Sequence, residues 1–132
     1  MADLARKFLI LIADDRPSSR ELLRTVLERS GYDVIEAAEG EAALERARQG
    51  NPDLILLDLQ MPKLDGYGVL AELRRDSRFR NLPICALTAS AMRGDREKIL
   101  EAGFTEYLSK PVGIELLRET VARLLGNLNA KP

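Results

Sequence analysis

Residues 53–58 read DLILLD, a short apolar run between two aspartates, and the turn-forming residues GNP precede it at 50–52. A continuous apolar run of this length is typical of a strand that is buried on both faces of a parallel sheet. Residues 8–13, FLILIA, form a second such run, which stops at Asp14 and Asp15. The two runs predict two central strands, each of which ends in acidic residues.

Helical patterns alternate with these strands along the chain. Apolar residues at helical spacing predict five helices, around residues 22–27, 41–48, 66–73, 93–102 and 116–125. Three further strands are predicted at 32–37, at 83–87 and at 105–108. This alternation indicates an α/β fold, in which helices cover both faces of a five-stranded parallel sheet. Right-handed crossovers leave two strand orders open at this point.

The helical patterns also predict inward-facing residues and helix ends. Leu22 belongs to the apolar pattern of the first helix, and Leu116 belongs to that of the last. Gly126 is predicted to end the last helix. Residues 76–82 are expected to form a loop, and residues 127–132 are expected to form a tail.

Length and composition exclude several classes of protein. A chain of 132 residues is expected to be a single domain, 1–132, with a core at about 8–125. The net charge of −1 gives no reason to expect direct binding of nucleic acid or of a membrane. The single cysteine excludes an internal disulfide, and the absence of histidine excludes every His-based metal site or catalytic pair. With no signal peptide or membrane span in the sequence, we expect a cytoplasmic protein.

Polar residues stand where four of the predicted strands end. They are Asp14, Asp15, Asp58, Thr88 and Lys110. Ligand sites in open α/β sheets lie outside the carboxyl ends of the strands, so these side chains are expected to converge. Two carboxylates about 4 Å apart repel each other by about 4 kcal/mol at an effective dielectric constant near 20, and a divalent cation relieves this. Ligands that are all oxygen favour Mg²⁺, with Mn²⁺ as the alternative.

Each of these residues also has an ordinary structural interpretation. Asp14 and Asp15 are suited to capping the helix that follows them. Asp58 is suited to a turn position before residues 61–62. Thr88 is suited to a helix cap or to a hydrogen-bonded position in the core, and Lys110 to a solvated surface position. Pro111 favours the site for Lys110, because a residue before proline is restricted to extended backbone and its side chain then has a fixed direction.

Four stretches of the sequence together resemble the CheY-like receiver domain of two-component response regulators. They are residues 10–15 (ILIADD), 52–66 (PDLILLDLQMPKLDG), 87–89 (LTA) and 107–111 (YLSKP). The resemblance extends over about residues 8–125 and implies the flavodoxin-like strand order 2-1-3-4-5.

The resemblance also implies chemical roles for the polar residues at the ends of the predicted strands. Asp58 looks like the phosphoacceptor, and Lys110 looks like the lysine that pairs with the phosphoryl group. Asp15 and Asp58 look like direct Mg²⁺ ligands, with Asp14 acting through water and the backbone carbonyl of Gln60 as a further ligand. Arg16, Gln60 and Ser90 lie at positions where receivers vary and where the side chains tune the rate of dephosphorylation. The lifetime of the phosphoryl group is therefore left open.

Two residues look like a conformational switch. Thr88 resembles the hydroxyl that turns toward the phosphoryl group, and Tyr107 resembles the aromatic residue whose rotamer follows it. The simpler interpretation of Tyr107 is an aromatic side chain packed at the edge of the sheet. In the switch interpretation, phosphorylation changes the surface made by the fourth helix, the fifth strand and the fifth helix.

The sequence therefore predicts a phospho-accepting signalling module rather than an enzyme. Its expected partners are a sensor histidine kinase or phosphotransfer protein and a downstream protein target, and it is expected to act without an output domain, as a monomer or weak dimer. A Mg²⁺-dependent phosphatase is a second possibility, but Gln60 stands where that class has a second acid. A flavodoxin-like binding module is a third, although Asp14 and Asp15 would repel a flavin phosphate.

Overall fold

The computed structural model describes residues 7–89 and 93–129. In these ranges five strands alternate with five α-helices. The strands are β1 Leu9–Ala13, β2 Asp33–Ala37, β3 Leu54–Asp58, β4 Ile84–Thr88 and β5 Glu106–Ser109. The helices are α1 Pro17–Arg29, α2 Gly40–Gly50, α3 Gly66–Arg75, α4 Arg93–Ala102 and α5 Ile114–Asn129. None of the helices in these ranges has the length and apolar character needed to cross a bilayer.

The five strands form one parallel sheet in the order β2-β1-β3-β4-β5. The α/β class predicted from the sequence and the strand order implied by the resemblance are both confirmed. The register pairs Ala13 with Leu57, Asp58 with Leu87, and Thr88 with Ser109. The carboxyl ends of β1, β3, β4 and β5 therefore lie at the same edge of the sheet.

Two apolar layers hold the helices on the sheet. Successive side chains of a strand point to opposite faces, so Ile10 and Ile12 of β1 face one layer while Leu11 and Ala13 face the other. Helices α1 and α5 cover the first face through a set of buried residues: Leu23, Val26, Leu27, Leu117, Val121, Leu124 and Leu125. Helices α2, α3 and α4 cover the second face through another set: Ala43, Leu44, Ala47, Val69, Leu70, Leu73 and Ile99.

Two predicted core residues are in fact exposed. Leu22 is 49% exposed and Leu116 is 51% exposed, so their assignment to the apolar faces is wrong. In each case the next residue, Leu23 or Leu117, is buried instead. A helix offers only one stripe to the sheet, and adjacent residues are turned by about 100° from each other, so only one leucine of each pair reaches the core.

The last helix and the predicted loop also differ from expectation. Helix α5 passes through Gly126 and continues to Asn129. A glycine inside a helix costs only about 1 kcal/mol relative to alanine, and the packing of the preceding turn outweighs that. Of the predicted tail, residues 130–132 lie outside the described ranges. The loop at 76–82 contains a 3₁₀ turn, Ser77–Phe79, that buries Phe79.

The start of α3 packs directly against the end of β3. Asp65 caps the helix, because its side chain accepts a hydrogen bond from the amide of Gly68. A Cβ atom at Gly66 would lie 2.6 Å from the carbonyl oxygen of Asp58 and 2.8 Å from the Cα atom of Leu59. Only glycine permits this approach, which fixes the backbone at the acidic end of β3.

We expect Gly66→Ala to lower the free energy of unfolding by about 1–3 kcal/mol, because the added methyl group would force the backbone at Asp58 to move. Urea unfolding measures this change. Gly126→Ala is the matched control, since nothing lies within 4 Å of the added Cβ atom and alanine is the better helix former. Equal stability of the two variants would contradict the close contact between α3 and β3.

Candidate functional site

Three carboxylates meet at the carboxyl edge of the sheet. Asp14 and Asp15 follow β1, and Asp58 is the last residue of β3. Each contributes one oxygen atom to a group in which all the oxygens lie within 4.8 Å of one another. Asp14 and Asp58 are buried while Asp15 is exposed, so the cluster has one side open to solvent. The structure thus brings together the three acids that the sequence places at strand ends.

Lys110 joins this cluster from the segment that follows β5. Its Nζ atom lies 2.9 Å from Oδ2 of Asp14 and 2.9 Å from Oδ2 of Asp58. Its backbone amide donates to the carbonyl of Thr88 at 2.8 Å, and the Lys110–Pro111 peptide bond is cis. The interpretation of Lys110 as a solvated surface charge is therefore wrong, since its side chain is only 17% exposed.

Asp14 is held by donors from the start of α1. Its Oδ1 atom accepts a hydrogen bond from the Arg16 amide at 2.9 Å, and its Oδ2 atom accepts one from the Ser19 hydroxyl at 2.6 Å. Arg16 is the N-cap residue of α1 and makes no side-chain cap bond. The Asp14 carboxylate thus turns toward Lys110 and Ser19 instead of acting as the N-cap of α1. The capping interpretation of Asp15 stays a prediction.

The other predicted site residues surround Asp58. Oδ1 of Asp58 accepts a hydrogen bond from the amide of Gln60 at 3.0 Å. Thr88, the last residue of β4, is 7% exposed, and with Gln60 it lines a cavity of about 310 Å³ beside α4. Tyr107 of β5 is half-buried and packs against the core on the α3 and α4 side of the sheet. Ser90 lies outside the described residues.

The two buried carboxyl groups have pKa values that move in opposite directions. Burial, together with the charge of Asp14, raises the pKa of Asp58 above its ordinary value despite the donors Gln60 and Lys110. Burial alone would also raise the pKa of Asp14, but hydrogen bonds from Ser19, Arg16 and Lys110 outweigh it and hold that pKa below its ordinary value. Asp14 is thus the anchored carboxylate, and Asp58 is the one whose charge is poorly compensated.

Lys110 remains positively charged in this setting. Burial alone would lower the pKa of its amine, but hydrogen bonds and charge attraction to Asp58 and Asp14 outweigh it and raise the pKa. One ammonium group then faces a cluster of three carboxylates. A hard divalent cation with oxygen ligands suits the remaining negative charge, and Mg²⁺ commonly uses one or two carboxylates and keeps its waters. The donor set fits such an ion.

Comparison with known proteins identifies the family. A sequence model of the response regulator receiver domain matches residues 10–122. The polar-differentiation response regulator DivK of Brucella ovis is 39% identical over 118 residues, which are 89% of this chain and 96% of DivK. The chain therefore belongs to the response regulator receiver domains, the signalling modules of two-component systems.

Solved structures agree with this assignment. The chemotaxis protein CheY4 of Vibrio cholerae superposes with a TM-score of 0.86 at 31% identity, covering 91% of this chain and 100% of CheY4. The receiver domain of a sensor histidine kinase from Pseudomonas aeruginosa has a TM-score of 0.84 at 37% identity and covers 92% of this chain and 99% of that domain. That structure has a magnesium ion coordinated in its active-site cleft.

Ser19 is part of the site, although it was not among the residues predicted from the sequence. Its hydroxyl contacts Asp14, yet Ser18 precedes it in the same helical turn and is exposed. The sequence does not distinguish the roles of Ser18 and Ser19, because serine is suited to both positions in the first turn of a helix. The only signal that separates them is helix phase relative to Leu23, which faces the sheet.

The opposite pKa directions give opposite expected effects on stability in EDTA at pH 7. A lowered pKa contributes stability that is present above the unfolded-state pKa and is lost as the pH falls through the folded-state value. Asp14→Asn should therefore lower the melting temperature. A raised pKa means that ionisation opposes folding at neutral pH, so Asp58→Asn should raise the melting temperature.

Thermal unfolding by circular dichroism measures both changes. Asp33→Asn is the control, since Asp33 is 60% exposed and pairs with Lys7 only at 3.7 Å. We expect it to leave the melting temperature nearly unchanged. A lower melting temperature for Asp58→Asn would contradict the view that the cluster holds excess negative charge.

Proposed function

We propose that Asp58 accepts a phosphoryl group from the phosphohistidine of a sensor histidine kinase or phosphotransfer protein, with Mg²⁺ as the cofactor. The observation that carries this proposal is the position of the Asp58 carboxylate, 2.9 Å from the Lys110 ammonium and within the cluster that includes Asp14 and Asp15. The expectation that the protein is cytoplasmic stays a prediction.

The proposed transfer needs few protein groups. An oxygen of Asp58 forms a bond to phosphorus as the bond from phosphorus to the donor imidazole nitrogen breaks, and the electron pair returns to the imidazole. Lys110 offsets negative charge on the phosphoryl oxygens, while Asp14 keeps Lys110 in place from its other side. Mg²⁺ held by the acids and the Gln60 carbonyl would supply further charge neutralisation, which with positioning is most of what phosphoryl transfer requires.

The donor is proposed to approach over a groove beside α1. This groove has a volume of about 480 Å³, and Leu22, Val112 and Lys110 are among its lining residues. Exposed Leu22 gives the groove an apolar wall, and Lys110, which contacts Asp58, also lines it. A protein seated on Leu22 would bring its phosphohistidine close to the acceptor.

Incubation with acetyl phosphate and Mg²⁺ should add one phosphoryl group to the wild-type protein. Intact mass spectrometry measures the adduct. EDTA should suppress it, because the carboxylate cluster would repel the anionic donor. Asp58→Asn should abolish it, whereas Asp53→Asn, at the opposite end of β3, should leave it unchanged. A Mg²⁺-dependent adduct that persists in Asp58→Asn would contradict the assignment of the acceptor.

Replacement of Lys110 should separate cation binding from phosphoryl transfer. Lys110→Met removes a positive charge 2.9 Å from two acidic oxygens, so Mg²⁺ should bind at least as tightly as in the wild type. Phosphorylation should slow by about a hundredfold, as is typical when a group that stabilises transition-state charge is lost. Calorimetry and intact mass measure the two effects.

Lys63→Met is the control for this loss of charge. Lys63 is 63% exposed and pairs with Glu39 at 3.4 Å. This variant should behave as the wild type in both assays. A Lys110→Met protein that accepts phosphate at the wild-type rate would remove Lys110 from the mechanism.

We further propose that Thr88 and Tyr107 transmit phosphorylation to the surface of α4, β5 and α5. Thr88 ends β4 beside Asp58 and lines the cavity next to α4. Tyr107 lies on the neighbouring strand β5, opposite Ala86. A hydroxyl drawn toward a phosphoryl group would change the space available to Tyr107, and the altered surface would bind the downstream target.

Thr88→Ala should still accept phosphate but respond less at Tyr107, because the hydroxyl that reports the phosphoryl group is absent. Amide NMR spectra recorded with and without the phosphoryl mimic BeF₃⁻ measure this response as the change in the signals of Tyr107 and its neighbours. Thr88→Ser keeps the hydroxyl and should respond as the wild type. A full response of Tyr107 in Thr88→Ala would show that the signal takes another route.

A further inference from the structure

We propose that Ser19 and Arg20 of α1 form a brace that positions Asp14 for the divalent cation, an inference that rests on the proposed Mg²⁺-dependent function. Ser19 donates its hydroxyl hydrogen to Oδ2 of Asp14 at 2.6 Å. Arg20 donates from Nη1 to the backbone carbonyl of Asp14 at 2.8 Å. Two consecutive residues of one helix thus hold the side chain and the backbone of the same aspartate.

Asp14 needs such support because it lies just beyond the strand. β1 ends at Ala13, and the amide of Asp14 donates to the Ala37 carbonyl at 3.1 Å. The carbonyl oxygen of Asp14 accepts its hydrogen bond from the side chain of Arg20 in α1. The brace fixes the direction in which the carboxylate faces Asp15 and Asp58. Groups that orient metal ligands typically contribute about 10–100-fold to metal affinity. We expect the lower end of this range here, because Asp14 is expected to act on the cation through water.

Arg20 is itself fixed by an ion pair on the edge strand. Its Nε atom donates to Oε1 of Glu36 in β2 at 3.0 Å, and its side chain is 19% exposed. Arg24 binds the other oxygen of Glu36 at 2.6 Å but is 49% exposed. Arg20 and Arg24 therefore share the Glu36 carboxylate. Of these two arginines, Arg20 also donates to the Asp14 carbonyl. The chain thereby supplies a matched comparison.

Calorimetric titration with MgCl₂ tests the brace through Ser19. Ser19→Ala should weaken Mg²⁺ binding by about tenfold. Ser19→Thr keeps the hydroxyl and should bind as the wild type. Ser18→Ala removes the exposed neighbouring hydroxyl and should also bind as the wild type. Equal affinity of Ser19→Ala and the wild type, or an equal loss in Ser18→Ala, would overturn the proposal.

The arginine pair tests the backbone half of the brace. Because each variant removes one positive charge, the two variants are compared with each other: Arg20→Met should bind Mg²⁺ several-fold more weakly than Arg24→Met, by the same outer-shell argument. Melting temperatures in EDTA accompany each titration, because a merely structural role would change stability without changing the affinity of the folded protein. Equal affinities of the Arg20→Met and Arg24→Met variants would overturn this half.

The wild-type titration separates this proposal from the function on which it rests. If the wild-type protein binds Mg²⁺ and Ser19→Ala binds it equally well, the brace fails and the proposed function stands. If the wild-type protein binds no Mg²⁺, both fail. Binding by the wild type with a selective loss in Ser19→Ala and Arg20→Met supports both.

Discussion

The Lys110 ammonium bridges Asp14 and Asp58, at 2.9 Å from an oxygen of each, and the rest of the site is arranged around this contact. The lysine comes from the end of β5, while its two partners come from β1 and β3. Strand β4 lies between β3 and β5, and the backbone of Lys110 is bonded to the Thr88 carbonyl at the end of β4. The parallel register thus places the Lys110 ammonium group beside the two acids, although strand β4 lies between β5 and β3.

The two carboxylates that Lys110 bridges have different numbers of hydrogen-bond donors. Both are buried, but Asp14 receives two further donors from the start of α1, whereas Asp58 receives one from the amide of Gln60. Burial raises the pKa of both groups, so the opposite directions come from the stronger hydrogen bonding of Asp14 and from the charge of Asp14, which further raises the pKa of Asp58. One acid is held as an ionised anchor, and the other retains uncompensated charge. That division suits a receiver domain, in which one carboxylate is proposed to react and its neighbour to support it.

Much of the fold could be predicted because buried parallel strands have a distinct sequence pattern. The runs before Asp14 and Asp58 are apolar on both faces, and the polar residue that ends each run must lie at the sheet edge. The sequence alone left the strand order open, and the resemblance to the family supplied it. Helix details were harder to predict. Leu22 and Leu116 each sit beside another leucine, and a periodic pattern cannot tell which one of a pair reaches the core. Gly126 carries a helix-ending signal that the packing of α5 overrides.

Most of the predicted site residues stand at the end of a strand or directly after it. Asp14, Asp58, Thr88 and Lys110 could be placed together for that reason before their side-chain contacts were known. Ser19 and Arg20 could not, since they lie inside a helix and act on a residue of the preceding loop. Their contribution depends on the rotation of α1 about its axis, which the buried residues Leu23, Val26 and Leu27 determine.

The ends of β1, β3 and β5 are proposed to form one cation-binding centre. A titration of ¹⁵N-labelled protein with Mg²⁺, monitored by amide NMR spectra, tests this arrangement residue by residue. We expect saturable shifts concentrated at residues 14–16, 58–60 and 110, which lie at three strand ends. Shifts centred on another acidic surface, such as that around Glu28 and Glu36, or no saturable shifts, would contradict a single centre at the sheet edge.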